Sequence, residues 1–511
     1  MGVIEILDNQ TMQTYRLCEQ GSNLRMKYSK NIASLTCIVG KNGSGKTQFI
    51  NALLWSDGRF ELKPKKKRSI VKYSGAVELH KNNEIPDDSF DISTSFLLSQ
   101  VSLTALNRND SIYQVGAVVN IFKKFQELIE FSNKQVNIKL TDSGEAIKVF
   151  GERFLSRIPK GDDLRTQITN VKIQPKNIMT VVIRKSISIL FDLLSFDDDF
   201  LDDDVLKLIK EDIDFENFQP KEDFYDKVRD YLAKKNKESA PIVDKLEQFF
   251  KDINFFIEGY KESFEISNEN DRNILKEYVR IMTDKSSRSS ISRDVLLLIE
   301  FEWNGLSSGE LSLLNLFGRL YGIKDEVQDE ILLLIDEVDL GLHPEWQRRW
   351  VNDVLPLISE ILRIKNNILQ VIISTHSPII LSDLFDKDII FLSENSDNRT
   401  FGQNIYELFN TSFVLDNVQG KFSTNYIKEV AEVFKSDQIH EKITKFLEKY
   451  FANVEGEQSS EYFEEAIKLI GEPIVRNHFL NKLKQFKNND KEELIRYHEK
   501  EIKRLREDLK S

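Results

Sequence analysis

Residues 40–47 read Gly40-Lys41-Asn42-Gly43-Ser44-Gly45-Lys46-Thr47, a complete G-x-x-x-x-G-K-[ST] phosphate loop. The pattern constrains the fold because it works only between a buried strand and a helix. The strand carries the loop to a sheet edge, and the helix opens with backbone N–H groups free to meet an anion. Both flanks are present, since LTCIV is apolar and of strand length and TQFINALLW continues as a helix. The glycines let the backbone wrap closely around phosphate oxygens. Gly40, Asn42, Gly43, Ser44, Gly45, Lys46 and Thr47 are therefore candidate ATP contacts. Lys46 is expected to reach the β- and γ-phosphates, and Thr47 to offer its hydroxyl to Mg2+. A glycine-rich turn that merely contains Lys-Thr would not need this strand and this helix.

Two further apolar runs, ILLLIDEVD and NILQVIISTHS, suit parallel strands buried on both faces. The first ends in Asp336 and Glu337, at the carboxyl edge where a phosphate loop also lies. Asp336 then suits the Mg2+ shell, through water, and Glu337 suits a general base that polarises the attacking water. An acidic turn after a core strand is common, so the upstream phosphate loop is what favours the catalytic reading. The second run ends at His376, which fits a contact to the γ-phosphate. Before these runs comes Leu306-Ser307-Ser308-Gly309-Glu310, which opens the helix LSLLNLFGRLYG. A hydroxyl residue before a helix N-terminus can meet an anion, while Ser307 and Glu310 also have the spacing of a capping box. The segment FDISTSFLLSQ reads as a strand ending near Gln100, a candidate to sense Mg2+ and the attacking water.

The Leu306–Glu310 element resembles the ABC signature of L-S-G-G-Q type, with Ser308 in place of its first Gly and Glu310 in place of its Gln. Leu342 and His343 occupy the place of the D-loop. The ordered set resembles the ABC-like ATPases of the OLD, RecF and SMC group. EVDLGLHPEWQRRWV followed by STHSP looks most like the OLD-type branch. TFGQNIYELFNTSFVLDNVQGKFSTNYI and the later IGEPIVRNHFLNKL are similar to the ATPase subunits of Septu-type anti-phage systems, also found attached to some retrons.

The resemblance implies an α/β fold: an ABC-ATPase head of the P-loop NTPase class, with ATP and Mg2+ as ligands. It makes Gln100 the Q-loop residue and His376 the switch histidine, and it places Ser307, Ser308 and Gly309 against the γ-phosphate held by a second head. It further implies a head-to-head dimer or higher oligomer, an HNH nuclease as partner, and DNA or retron nucleic acid as a further ligand class. The ATPase would restrain or license that nuclease according to its nucleotide state. The competing reading is a RecF- or SMC-like ATPase of DNA repair or replication without a nuclease partner. An OLD-type nuclease would need a TOPRIM domain after His376, and no Asp-x-Asp strand end occurs there. Nuclease activity is therefore not expected in this chain.

A chain of 511 residues suggests several lobes. The expected boundaries are an N-terminal ATPase lobe at 1–104, an α-helical insertion at 105–295, a C-terminal ATPase lobe at 296–410 and a helical C-terminal region at 411–511. The insertion lacks the long heptad run of a coiled-coil arm. Hydrophobic residues at 40% and charged residues at 30% suit a soluble globular protein rather than a membrane one. MGVIEILDNQ lacks the basic start and apolar stretch of a secretory leader, so a cytoplasmic location is expected. With a net charge of −12, any nucleic-acid contact must be local. Lys65 to Arg68 and the acidic runs Asp197–Asp199 and Asp202–Asp204 read as solvated loops, and Cys18 and Cys37 as buried thiols.

Overall fold

The computed structural model describes residues 4–8, 14–17, 32–41, 43–55, 60–63, 68–76, 85–140, 178–194, 203–214, 218–235, 237–284, 290–328, 330–362, 369–392, 399–411, 420–436, 438–451 and 459–508. The chain forms two compact units, Met1–Val414 and Leu415–Ser511.

The first unit begins with β1 (Ile4–Asp8), β2 (Thr14–Leu17), β3 (Ile32–Val39), α1 (Lys46–Trp55), β4 (Phe60–Lys63), β5 (Ser69–Ser74) and β6 (Ser89–Asp91). Next come α2 (Thr94–Gln100), α3 (Leu103–Asn120), α4 (Phe122–Leu128), β7 (Gln135–Leu140), α5 (Ile178–Leu194), α6 (Asp203–Asp212), β8 (Ile213–Asp214) and β9 (Gln219–Pro220). The chain continues through α7 (Phe224–Lys234), α8 (Ala240–Gly259), β10 (Ser263–Glu265), α9 (Glu269–Thr283), α10 (Ser290–Leu296), β11 (Ile299–Asn304), α11 (Ser308–Ile323) and β12 (Ile331–Asp336). It then runs through α12 (Pro344–Arg349), a π turn at Trp350–Val354, α13 (Leu355–Ile361), β13 (Leu369–Ser374), α14 (Pro378–Leu381), β14 (Ile389–Phe391) and α15 (Ile405–Thr411).

A six-stranded sheet of order β14-β3-β13-β12-β5-β6 organises this unit, and its pairings are all parallel. Strand β12 shows why its sequence is an unbroken apolar run. Ile331, Leu333 and Ile335 enter the apolar cluster on one face, and Leu332 and Leu334 enter the cluster on the other. Helix α1 covers that second face with Phe49, Ile50, Leu53 and Leu54. The first face is packed by residues of α3, α11 and α13, among them Val115, Phe317 and Ile358. Each such side chain contributes about 1.5–3 kcal/mol on burial. The larger cluster runs on without a break to Val136, Phe249 and Tyr278, so residues of the 105–295 stretch share one core with the parallel sheet.

Three readings of the sequence change here. The segment expected to be a strand ending near Gln100 is the short β6 followed by helix α2. The Asp91 carboxylate accepts the Ser93 N–H at 2.9 Å, which turns the chain, and Ser93 then opens the helix in an extended conformation. The stretch read as helical also contains antiparallel strands, in the order β10-β7-β11. Val136 and Ile138 of QVNIKL alternate inward, the period of two that marks a half-buried strand. Asp203 and Asp204 belong to the first turn of α6 rather than to a loop, where the helix dipole favours acidic side chains. Cys37 is a buried thiol, while Cys18, Lys65–Lys67, Asp197–Asp199 and Asp202 lie outside the described residues.

The second unit contains α16 (Lys421–Val433), α17 (Ile439–Tyr450), α18 (Ser459–Lys468) and α19 (Pro473–Asp508). Val430, Ile443, Phe446, Phe463, Ile467 and Phe479 form its core.

Helices α3 and α11 approach closely at Gly318, where an added Cβ would sit 2.8 Å from the Gln114 backbone nitrogen. Backbone atoms cannot rotate away, so Gly318→Ala should lower the stability of the first unit by about 1–3 kcal/mol, partly offset by a helix-propensity gain of about 1 kcal/mol. Urea denaturation of the two proteins side by side tests this, and an unchanged or raised midpoint would refute it.

Candidate nucleotide-binding site

Strand β3 ends at Val39 and helix α1 begins at Lys46, so the phosphate loop lies at the carboxyl edge of the parallel sheet. Gly43 and Gly45 have φ of +79° and +92°, a region that a side chain disfavours. A Cβ on Gly40 would collide with the Ser44 side chain. The Ser44 hydroxyl is itself buried without a hydrogen-bond partner. Asn42 lies outside the described residues. Lys46 is buried, and its ammonium donates to the Gly40 carbonyl at 3.0 Å and the Lys41 carbonyl at 3.3 Å. Burial lowers its pKa, and the nearby Asp336, Glu337 and Asp339 carboxylates partly oppose that, leaving it below the ordinary lysine value. Thr47 is the second residue of α1 and is half-buried.

Asp336 closes β12 and is only 1% exposed. One carboxylate oxygen accepts the Ser374 hydroxyl from the end of β13, and the other is buried with no hydrogen-bond partner. A buried carboxylate oxygen without a donor is costly to desolvate, so the pair Asp336 and Thr47 suits a hard cation. Glu337 takes φ +54°, which is strained for a residue with a side chain. Its N–H donates to the Ser374 hydroxyl at 2.8 Å, and the Val338 N–H donates to the Ser374 carbonyl at 3.0 Å. Ser374 thus holds both halves of the Asp-Glu pair.

Asp339 binds the loop after β13 in the same manner. Its carboxylate accepts the Thr375 hydroxyl and, at 3.0 Å, the His376 N–H. Burial lowers the His376 pKa and the Lys46 ammonium lowers it further, while Asp339 and Asp336 pull it upward, and the balance is below the ordinary value. These mutual influences place Lys46, Asp336, Asp339 and His376 in one electrostatic neighbourhood, with Glu337 beside Lys46. Ser374, Thr375 and Asp339 were not singled out from the sequence, although each lies inside a motif that was. Their signal is only the short polar residue beside the assigned one.

Ser307 caps α11 and forms the full capping box with Glu310. Ser307 and Ser308 are exposed, and Gly309 is buried where an added Cβ would lie 3.1 Å from Trp346. The Ser307 side chain bonds Glu310, and the atoms nearest a Cβ on Gly309 belong to Trp346 and Gly341. His343 serves as the N-cap of α12, accepting the Glu345 N–H at 3.3 Å. Gln100 is exposed at the end of α2, and its amide donates to Ser99. No hydrogen bond among those of the described residues joins it to Lys46 or Asp336. A cavity of about 200 Å3 beside Glu337 is lined instead by Thr94 at the other end of α2, with Tyr73, Ser312 and Leu340.

The lowered folded-state value for His376 means that the unfolded chain takes up more protons as the pH falls through the ordinary histidine range. Its contribution to stability is therefore present at neutral pH and declines on acidification. Histidine NMR, with the resonance assigned by its absence in His376→Gln, should show a midpoint below about 6.5. A midpoint at or above that value would contradict the described environment. Ser374→Ala should lower turnover by about 10–100-fold, because it frees both Asp336 and the Glu337 backbone. Steady-state hydrolysis at unchanged rate would deny Ser374 that role.

Three likenesses to known proteins bear on this site. Over 237 residues the chain is 30% identical to the Septu protein PtuA of Bacillus thuringiensis, covering 40% of this chain. It spans 57% of that protein's length. Over 406 residues it is 22% identical to the Retron Vc95 probable ATPase of Vibrio cholerae serotype O1 biovar El Tor, covering 72% of this chain and 71% of that protein. The family described as "AAA domain, putative AbiEii toxin, Type IV TA system" matches residues 35–382, from the strand that carries the phosphate loop past the His376 loop. The chain therefore belongs to that AAA family and is an ATPase related to those of anti-phage defence systems.

Proposed function

We propose that this chain is a regulatory ATPase of an anti-phage system, whose nucleotide site is completed by a second copy of itself. The observation that carries the reading is the pair Ser307 and Ser308. They are exposed at the mouth of α11, and the Ser307 side chain bonds Glu310 within the same turn. A helix N-terminus with exposed hydroxyls favours an anion. In a head-to-head pair that anion is the γ-phosphate held by the partner.

Backbone N–H groups of residues 40–47 cradle the phosphates, and Lys46 neutralises the β- and γ-oxygens. Thr47 and Asp336 would hold Mg2+, which would supply charge neutralisation for phosphoryl transfer. Glu337 takes the proton of the attacking water, and His376 donates to the γ-phosphate. Ser307 and Ser308 from the second head complete the donor set, so hydrolysis depends on closure. Opening after hydrolysis is the switch that restrains or licenses a partner nuclease of the HNH type. The likeness to the Septu protein PtuA and the Retron Vc95 probable ATPase supports the defence setting. Among the described residues no helix is long and apolar enough to cross a membrane.

Glu337→Gln should bind ATP but lose at least about a hundred-fold in hydrolysis, and light scattering with ATP and Mg2+ should show a larger species that persists. Normal hydrolysis by that variant would remove Glu337 from its role. Failure to associate with ATP present would remove the two-head site. Strong stimulation of hydrolysis by DNA alone would favour a repair ATPase instead.

A further inference from the structure

Glu310 stands where the signature resemblance has Gln, and the structure gives that departure a partner. A single carboxylate oxygen of Glu310 accepts three donors: the Ser307 N–H at 2.7 Å, the Ser307 hydroxyl at 2.9 Å and the Lys134 ammonium at 3.0 Å. Lys134 also donates to the Gly305 carbonyl at 2.7 Å. It therefore ties down both sides of the turn between β11 and α11. Lys134 lies far away in sequence, immediately before β7, and its side chain is only 14% exposed. Gly305 adds a steric element, because it sits at φ +82° with its Cβ position 2.8 Å from the Asn133 carbonyl oxygen. Burial would raise the Glu310 carboxyl, but the Ser307 N–H, Lys134 and the Ser307 hydroxyl outweigh it and keep it below the ordinary glutamate value.

The same short segment grips a second element. Arg349, at the end of α12, donates to the Leu128 carbonyl at 3.2 Å and to the Glu127 carbonyl at 3.1 Å. Trp346 of the same helix is the residue that an added Cβ on Gly309 would strike, and the Arg349 guanidinium lies 5.2 Å from its ring. Residues 127–134 thus hold the signature turn through Lys134 and the helix that follows the D-loop through Arg349.

We propose that Lys134 is a positioning residue for ATP hydrolysis, with the Lys134–Glu310 ion pair fixing the Ser307–Gly309 turn in the orientation that meets the γ-phosphate of a second copy. This rests on the two-head reading given above. The pair adds a charged tether that a Gln at position 310 could not provide. A Gln would still offer an oxygen to the Ser307 N–H and hydroxyl, so the capping box survives while the ion pair with Lys134 falls to a weaker ion–dipole hydrogen bond. Because Lys134 immediately precedes β7 and Gly305 immediately follows β11, displacement of the β10-β7-β11 sheet moves the turn.

The test is a double-mutant cycle on the full chain with Lys134→Met and Glu310→Gln. Each single variant should lower kcat about ten-fold, as expected for loss of one charge-assisted hydrogen bond. The double variant should be no worse than the poorer single within about two-fold. Binding of a fluorescent non-hydrolysable ATP analogue should stay within about two-fold of the parent, since the phosphate loop is untouched. Lys134→Arg should restore most of the lost turnover. Multiplicative losses in the double variant, unchanged kcat, or weakened analogue binding in step with kcat would each overturn the proposal. Lys134→Met placed in the Glu337→Gln protein separates the two ideas. If the Glu337→Gln parent associates with ATP and the added change leaves association intact, the tether alone is wrong. If the parent does not associate, the two-head reading falls and takes the tether with it.

Discussion

The site depends on one hydrogen bond, from the Ser374 hydroxyl to the Asp336 carboxylate. Asp336 is almost completely buried, and an ionised carboxylate in that position needs compensating donors. The parallel register of β12 and β13 supplies one, because it brings the two strand ends side by side. Only one oxygen is satisfied. The other stays without a donor, and the Lys46 ammonium lies within electrostatic reach. A sheet that satisfied both oxygens internally would be more comfortable and would have nothing to offer a cation.

A second carboxylate repeats the device one turn further on. Asp339 joins its own loop to the loop of Thr375 and His376 through two hydrogen bonds. Ser377 extends the chain of contacts, donating to Gln347 at 2.7 Å, and Gln347 donates to the Leu342 carbonyl at 2.8 Å. The residues after Asp336 therefore cannot move independently of His376. Charge-assisted bonds of this kind are short and strong in a partly dry setting.

The parts of the site that could be read from the sequence are those whose physics is local. A phosphate loop needs a strand, glycines and a helix in continuous order, and residues 40–55 supply them. The strands β12 and β13 announce themselves because burial on both faces demands unbroken apolar residues. What escaped notice depends on pairing across distance. Lys134 lies within the stretch read as helical and Glu310 beyond its end, 176 residues apart, and nothing in the local sequence of either marks the other. The β10-β7-β11 sheet was hidden for a similar reason, since β10 is three residues long and gains its identity only from its neighbour. The segment ending at Gln100 reads as a strand because FDISTSFLLSQ is apolar enough for either structure, and the Asp91–Ser93 turn, not periodicity, decides for the helix.

Glu337 shows how that arrangement turns strain to use. A left-handed backbone at a residue with a side chain costs about 1–3 kcal/mol, and Gly would relieve it. The conformation persists because Ser374 grips both flanking groups, accepting the Glu337 N–H through its hydroxyl and the Val338 N–H through its carbonyl. The turn lets Asp336 and Glu337 follow one another in sequence while serving different places, one buried at the strand end and the other lining the cavity with Leu340 and Ser312. In a relaxed extended continuation, adjacent residues would alternate across the sheet, and the carboxylates would face opposite sides of it. The positive φ at Glu337 is thus what sends two neighbouring carboxylates to different places at the end of β12, and Ser374 is what sustains it.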